Sequence, residues 1–307
     1  MQDHRFALIL PTLNAEKYLP AFLAGLRKQE QQPDRFLVVD SSSDDHTAEI
    51  LRAAGAEVIV IDRKDFDHGL TRNFAAQQVA GDCEIAVFAT QDVVLVGSGS
   101  LAALVDVFTD ESVLSAFGRQ LPRPNAGTIE AYGRGFSYPA ASYRRTIADA
   151  GTYGFKACFS SNAFGAYRIG PLLAVSGFPK TILSEDALAV ARLFKLGGVH
   201  AYVAEATVLH SHGYTLGEEF RRYFDIGAMH SLNAQLLSQY DSFGGTGRAF
   251  VMRELKYLLR HKPWLVPEAV LRTLIKYVAY KAGRNEAKLS PALKRRISMH
   301  KRFWTTD

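Results

Sequence analysis

A chain of 307 residues with 48% apolar content can bury a full core, as one large domain with an appendage or as two domains. Two cysteines, Cys83 and Cys158, exclude a disulfide framework and fit a reducing compartment. The apolar run Phe6–Leu10 stops at Pro11, so no secretory signal is expected, and no stretch reaches the roughly 18 apolar residues that span a bilayer. The net charge of +5 hides a split: residues 247–307 hold 15 Lys/Arg against 4 Asp/Glu, and the remaining 246 hold 21 against 27. A basic tail on an acidic body points to an anionic partner surface.

In chain order, Phe6–Leu10 reads as a buried strand. Asn14–Gln29 reads as a helix with Leu19, Phe22, Leu23 and Leu26 on one face. Phe36–Val39 is the second strand, and Ser41–Ser43 offer N-caps before the helix Thr47–Ala54, which Gly55 ends. Val58–Ile61 is a third strand, Thr71–Ala80 a helix closed by Gly81, and Ile85–Ala89 a fourth strand. This rhythm predicts a parallel, right-handed, doubly wound α/β sheet. Apolar strands run on into Asp40, Asp62 and Asp92, and ligands of such sheets collect outside the strands' carboxyl ends.

Residues 97–110 read as a helix and Val113–Phe117 as a short strand. The segment 122–165, rich in Gly, Tyr, Pro and Arg, reads as irregular and site-forming. Gly177–Pro179 is a turn, and Ser184 caps a helix reaching Phe194 or Lys195. Val199–Val203 and Thr207–Leu209 read as strands and Leu216–Leu232 as a helix. The Gly/Ser stretch Ser242–Gly247 reads as a linker. The expected division is therefore a body at 1–241, with halves 1–96 and 97–241, and a basic helical region at 248–307.

The run Asp67-His68-Gly69-Leu70-Thr71-Arg72-Asn73, with Thr90-Gln91-Asp92 seventeen residues on, joins a Gly-hinged loop bearing a fixed cation to a lone strand-end carboxylate. Such a pair suits a diphosphate and a divalent metal. Other segments extend the pattern: Pro11-Thr12-Leu13-Asn14 after strand one, Val38–Asp45 after strand two, and Ser184-Glu185-Asp186 opening a helix. Further along stand His210-Ser211-His212-Gly213-Tyr214 with Phe220–Gly227, then Tyr280–Gly283, Ile297–His300 and Phe303-Trp304. Together these residues resemble the nucleotide-sugar glycosyltransferases of family 2, which have the GT-A fold. Within the family the sequence is most similar to bacterial rhamnosyltransferases of O-antigen and cell-wall polysaccharide synthesis.

The resemblance implies a GT-A fold, a doubly wound, mostly parallel sheet with a C-terminal basic helical region. It implies inverting, metal-dependent transfer of L-rhamnose from dTDP-β-L-rhamnose to a lipid-linked glycan on the cytoplasmic face of the membrane. Another nucleotide hexose is the alternative donor. A sugar nucleotidyltransferase is a more distant alternative, since such enzymes usually carry a Gly-rich, Lys/Arg-bearing loop after strand one and Pro11–Asn14 has none.

The resemblance also assigns roles. Pro11, Asn14, Asp40, His68, Gly69, Arg72, Gln91 and Asp92 would hold the donor. Asp40 would accept from base or ribose, Arg72 would offer a fixed fork of donors, and Gly69 would let amides approach the phosphates. Asp92 is the expected ligand for Mg²⁺ or Mn²⁺. Thr90 stands where many members carry the first acid of Asp-x-Asp, so a histidine is expected to assist, His212 ahead of His210. Asp186 is the expected general base, kept ionised by the helix dipole, and Glu185 an acceptor contact. On the plainer reading, Asp40 and Asp186 are turn or first-turn acids. In the tail, Pro267–Ala282 sets Val270, Leu271, Leu274, Ile275 and Val278 to one side, an amphipathic basic helix suited to an anionic membrane. A packed helix or a homodimer contact is the other reading. Nucleic acid is not expected, because no binding motif accompanies the charge.

Overall fold

Strand β1 (Phe6–Thr12) is buried along nearly its whole length, and Phe-Ala-Leu-Ile-Leu contains no polar residue to mark a wet face. That continuous pattern belongs to a strand covered on both sides. In the computed structural model, which describes residues 4–240 and 245–305, β1 lies between β2 (Arg35–Asp40) and β4 (Ile85–Ala89), with β3 (Glu57–Val60) outside β2, all pairing in parallel. Helices α1 (Leu19–Arg27), α2 (Thr47–Ala53) and α3 (His68–Val79) make the crossovers.

The second half contributes β5 (Val94–Leu95), α4 (Ser100–Asp106), β6 (Val113–Leu121), α5 (Thr128–Ser137), β7 (Tyr143–Arg145), α6 (Ala150–Tyr153), β8 (Phe164–Arg168), α7 (Ile169–Ala174), α8 (Glu185–Leu193) and β9 (Val199–Leu209). The sheet order is β3-β2-β1-β4-β8-β6-β9-β5, with β7 also on β9. Strand β8 opposes β4 and β6, β9 runs parallel to β6, and β5 and β7 oppose β9. The sheet is therefore mostly parallel, as expected. Two apolar layers flank it. Ala7, Ile9, Leu37, Val39 and Phe88 meet α3 and α8; Phe6, Leu8, Leu10, Val38 and Val87 meet α1 and α4.

Several boundaries differ from expectation for local reasons. Helix α1 begins at Leu19, because Asn14 takes a positive φ of 48° and Pro20 fits only the first turn. Helix α3 begins three residues before Thr71, because Asp67 caps it, its Oδ1 accepting from the Gly69 and Leu70 amides at 2.9 Å each. Ser41–Ser43 do not cap α2; His46 stands at its N-cap without a side-chain bond to the helix amides. Ser184 precedes α8 in the left-handed region (φ 62°) and makes no cap bond. The two short strands expected at 199–209 are one strand, β9, with a register shift opposite Gly118 and Arg119. The segment 122–165 contains α5, β7 and α6 rather than irregular chain alone.

The C-terminal helices are α9 (Leu216–Leu232), α10 (Ala234–Leu237), α11 (Gly245–His261), α12 (Val266–Arg284) and α13 (Pro291–Ile297). Of the expected linker, residues 242–244 lie outside the described residues and 245–247 open α11. A capping box of Thr215 and Glu218 starts α9. Helix α12 lies against α9 through facing glycines; a Cβ on Gly227 would sit 2.2 Å from the Tyr280 carbonyl. Arg272 and Lys276 of α12 turn inward to Glu219, at 3.1 and 3.3 Å. Val270, Leu271, Leu274, Tyr277 and Val278 are left exposed. Beyond α13 the chain returns to the body, where Phe303 and Trp304 pack against the layer formed with α3 and α8. Among the described residues no helix is long and apolar enough to cross a membrane.

Candidate active site

Two cavities meet where the parallel strands end. The smaller, about 200 Å³, is lined by Pro11, Thr12, Ser41, Arg72 and Gln91 among others. The larger, about 1560 Å³, opens between α8 and the α9–α12 pair and holds Asp186 and Glu185 in its wall. His68 lines both.

Asp92, His210 and His212 converge. Asp92 Oδ2 lies 3.4 Å from His210 Nε2 and 3.6 Å from His212 Nε2, and the two nitrogens are 3.0 Å apart. Neighbouring ligands about 2.1 Å from a shared octahedral ion lie roughly 3 Å apart, so the set fits a divalent cation. The tautomer of His210 follows from its neighbours. Its Nδ1 is 2.8 Å from Gln120 Oε1, which also faces Arg134 Nη1. Arginine only donates, so that Gln120 atom is the acceptor and His210 Nδ1 carries the hydrogen. Nε2 is then the nitrogen that faces Asp92: protonated, it donates to the carboxylate, and deprotonated, it presents the lone pair that a metal-ligating imidazole requires. Burial pushes the Asp92 carboxyl up, but the hydrogen bond and charge of His210 outweigh it and hold Asp92 far below the usual carboxylate range. Burial and then His210 push His212 down, toward the neutral form that binds metal. Both histidines thus face Asp92, where His212 was expected ahead of His210.

The acids at the start of α8 divide. Glu185 is buried and pairs with Arg72, Oε1 to Nη1 at 2.8 Å. Burial pushes its carboxyl up, but the Arg72 and His68 charges outweigh it and the net shift is downward. Its Oε1 is therefore engaged by Arg72, while the residue remains in the wall of the large cavity. Asp186 accepts from the Ala187 amide at 2.7 Å and the Asn162 amide at 3.1 Å. Burial, then the neighbouring Glu185 charge, push it up to about 7 against those bonds. Desolvation and a like charge outweigh the expected effect of the helix start and leave the carboxyl poised near neutrality. Arg72 also donates to the His68 carbonyl at 2.8 Å, and its Nε is buried without a partner on the cavity wall. Burial and Arg72 hold the His68 imidazole below its ordinary value.

Of the other expected donor contacts, Pro11 and Gln91 line the small cavity, and Asp40, Asn14 and Gly69 are not among its lining residues. Asp40 is 1% exposed and accepts from Thr12 Oγ1 (2.8 Å), Ser43 Oγ (2.6 Å) and the Ser43 amide (2.8 Å). These bonds tie the turn after β2 to the end of β1. Asp62 caps a short turn and pairs with Lys64 at 3.1 Å. Asn14 joins two loops, its amide donating to Ser43 Oγ and its Oδ1 accepting from the Asp44 amide, each at 2.8 Å. Gly69 is required by packing, since a Cβ there would lie 2.4 Å from the Pro179 carbonyl oxygen, and its amide serves the Asp67 cap. Gln91 lines the cavity and clamps Leu13, accepting from its amide at 2.8 Å and donating to its carbonyl at 3.1 Å. Pro11 lines the cavity as expected. Asn73 pins the Phe178 backbone with both ends of its amide, at 2.7 and 2.8 Å.

Sequence reasoning did not reach Gln120, Arg123, Arg134 or Asn162, which hold the metal-type and Asp186 groups. Arg123 donates to the Asp92 carbonyl. These residues sit in segments of weak periodicity, and no motif signals them. Nor was the tail expected here, yet His300 lies against His68, ring centroids 5.5 Å apart, and Arg302 lines the small cavity.

The model of glycosyl transferase family 2 matches residues 7–169. The O-antigen chain rhamnosyltransferase RfbN of Salmonella typhimurium is 38% identical over 302 residues, 98% of this chain and 96% of that protein. WbaN of Salmonella anatum, another O-antigen chain rhamnosyltransferase, is 37% identical over 305 residues, 97% of this chain and 95% of its own length. Among solved structures, the mannosyltransferase PcManGT from Pyrobaculum calidifontis, in complex with GDP-Man and Mn²⁺, gives a TM-score of 0.62 at 16% identity, covering 94% of this chain and 89% of that one. TarS 1–349 of S. aureus, in complex with UDP-GlcNAc, gives 0.52 at 18% identity, covering 98% and 90%. With a family model over more than half of its residues, and relatives above one third identity along nearly its whole length, this chain belongs to glycosyl transferase family 2 and has the GT-A fold.

Proposed function

We propose that the protein is an inverting, metal-dependent rhamnosyltransferase that moves L-rhamnose from dTDP-β-L-rhamnose to a lipid-linked glycan during O-antigen or cell-wall polysaccharide synthesis. The likeness to RfbN and WbaN along nearly the whole chain supports rhamnose as the sugar. The observations that carry the chemistry are the Asp92–His210–His212 cluster, next in the chain to Thr90 and Gln91 of the small cavity's wall, and the junction of the two cavities at His68, with Asp186 in the wall of the larger. In this reading residues 1–241 form the transferase body, the donor on the side of 1–96 and the acceptor on the side of 97–241, while 248–307 wrap back onto it.

The donor's diphosphate would lie along Arg72 and His68, where the buried Arg72 Nε still lacks a partner. A divalent cation held by Asp92, His210 and His212 would neutralise charge on the departing diphosphate. Two imidazoles beside one carboxylate favour Mn²⁺ over the all-oxygen preference of Mg²⁺. Asp186 would take the acceptor hydroxyl's proton while that oxygen bonds to the anomeric carbon and the bond to the diphosphate breaks. A single displacement of this kind inverts the centre. A carboxylate poised at about 7 suits a base working near neutral pH. Glu185 serves by holding Arg72 in place.

The exposed apolar stripe of α12, beside a basic C-terminal region, supports docking on the inner, anionic face of a membrane where a lipid-linked acceptor would be presented. The deciding experiment is a donor panel scored by nucleoside diphosphate release, with Mn²⁺, Mg²⁺ or EDTA. Turnover of dTDP-rhamnose above UDP- and GDP-hexoses is expected. Preference for another nucleotide hexose would replace the donor and keep the mechanism.

A further inference from the structure

We propose that Arg302, carried back to the small cavity by the strap of residues 298–304, is a direct contact for the diphosphate of a nucleotide-linked donor, a step that rests on reading that cavity as the donor site. Arg302 lines the cavity beside Arg63 and Arg72. The other two guanidiniums are already neutralised. Arg63 pairs with Asp44 at 2.7 Å, and Arg72 with Glu185 at 2.8 Å. Arg302 has no carboxylate partner among the described residues, and its one bond, Nη1 to the Arg63 carbonyl at 3.0 Å, sets its head at the cavity rim. The remaining N–H groups of its fork stay available. A diphosphate bears more negative charge than one spent arginine offsets, and an unspent guanidinium is the strongest side-chain partner for it.

The strap is fastened at three points, more than an idle terminus needs. Asp225 of α9 accepts from the Met299 amide at 2.9 Å and the His300 amide at 3.3 Å. Ser298 is fully buried. Trp304 packs against the core layer, with the Lys294 ammonium 4.6 Å over its ring. Between these anchors lies the segment that sets His300 on His68 and Arg302 at the cavity. The plainer alternative is that Arg302 only ties the terminus to the loop at Arg63.

The test is titration of the full chain with dTDP, UDP, GDP and thymidine by calorimetry. Arg302→Ala should weaken the nucleoside diphosphate that wild type binds by at least about tenfold, the usual worth of a charge-assisted contact. Thymidine affinity and the thermal midpoint should stay at wild-type values, and Arg302→Lys should recover part of the loss. In turnover, donor KM should rise more than kcat falls. Lys301→Ala, exposed and off the cavity, should leave diphosphate affinity unchanged and so control for lost charge. Undiminished diphosphate binding by Arg302→Ala, or equal losses for diphosphate and thymidine, would overturn the proposal. A wild-type protein that binds none of the three diphosphates would sink the donor reading itself, and this contact with it.

Discussion

Glu185 and Asp186 are adjacent acids whose carboxyls are shifted in opposite directions by what they touch. Arg72 keeps the first ionised, and that charge, with burial, raises the second to about 7. Asp186→Asn should therefore keep donor affinity while turnover falls roughly 10²–10⁴-fold. Wild-type kcat should rise as pH passes about 7 and level off above it; a substituted enzyme working at near wild-type rate would move the base elsewhere. Linkage gives a second readout. The folded pKa is raised, so the contribution of Asp186 to stability is fully present below the ordinary carboxylate value and is lost as pH rises through about 7. Asp186→Asn should raise the thermal midpoint at pH 8 and leave it unchanged near pH 4. For the metal cluster, EDTA should abolish transfer with Mn²⁺ restoring it, and Asp92→Ala or His210→Ala should mimic chelation. Gln120→Leu, which frees the His210 ring, should raise the Mn²⁺ concentration needed by about 10–100-fold, the usual worth of an outer-shell partner. Full activity in EDTA would leave Arg72 and the histidines to neutralise the diphosphate alone.

The elements that deliver these residues were legible to different degrees. Strands β1 to β4 announce themselves because a strand buried on both faces must be continuously apolar. The span of α9 and the Ser-Glu-Asp opening of α8 were legible too, whereas the Asp67 cap that starts α3 three residues before Thr71 was not expected. Asp67–Asn73 stood out as a candidate segment and brings His68 and Arg72 to the small cavity, but the task of its glycine is set by Pro179, more than a hundred positions away, which no local pattern reveals. The contacts of Asp40 were hidden for the same reason, since only the fold brings Thr12 onto its carboxylate. The return of the tail to β1 and β4 was illegible because it depends on Asp225, a buried acid with the look of a helix-surface residue. The junction of α3 with the turn before α8 yields a sharp expectation. Gly177 takes φ of 59°, and a Cβ there would lie 2.1 Å from Asn73 Oδ1, the atom that receives the Phe178 amide. Gly177→Ala should cost about 1–3 kcal/mol in urea unfolding through backbone strain, and more through the displaced Asn73. An unchanged midpoint would mean that the turn relaxes freely and that α3 is not clamped to it.

At the scale of the whole molecule, the C-terminal region inverts the usual arrangement of a surface helix. Arg272 and Lys276 of α12 point into the body at Glu219, while Leu271, Leu274, Tyr277 and Val278 face out. Apolar side chains left outward in this way, in a C-terminal region with 15 Lys/Arg against 4 Asp/Glu, match a surface that is apolar beneath and anionic above. The basic cluster at 294–296 is a poorer candidate than its sequence suggests, because Lys294 is committed to Glu286. Vesicle flotation of the wild type should rise with anionic lipid content and fall with salt, each surface-proximal cation contributing about 1 kcal/mol within a Debye length. Leu274→Gln with Val278→Gln should weaken flotation while sparing transfer to a soluble acceptor analogue, since neither residue is buried against α9. Removing 284–307 should do more than weaken membrane binding. It takes away the partners of Asp225, the Trp304 anchor and Arg302, so donor affinity and the thermal midpoint should fall together. The rival occupant of the stripe is a second copy of this chain. In that case the wild type would elute as a dimer and ignore vesicles, and the Leu274→Gln, Val278→Gln variant would elute as a monomer. Dimeric protein that stays in the dense fraction at every lipid composition would end the membrane reading of α12.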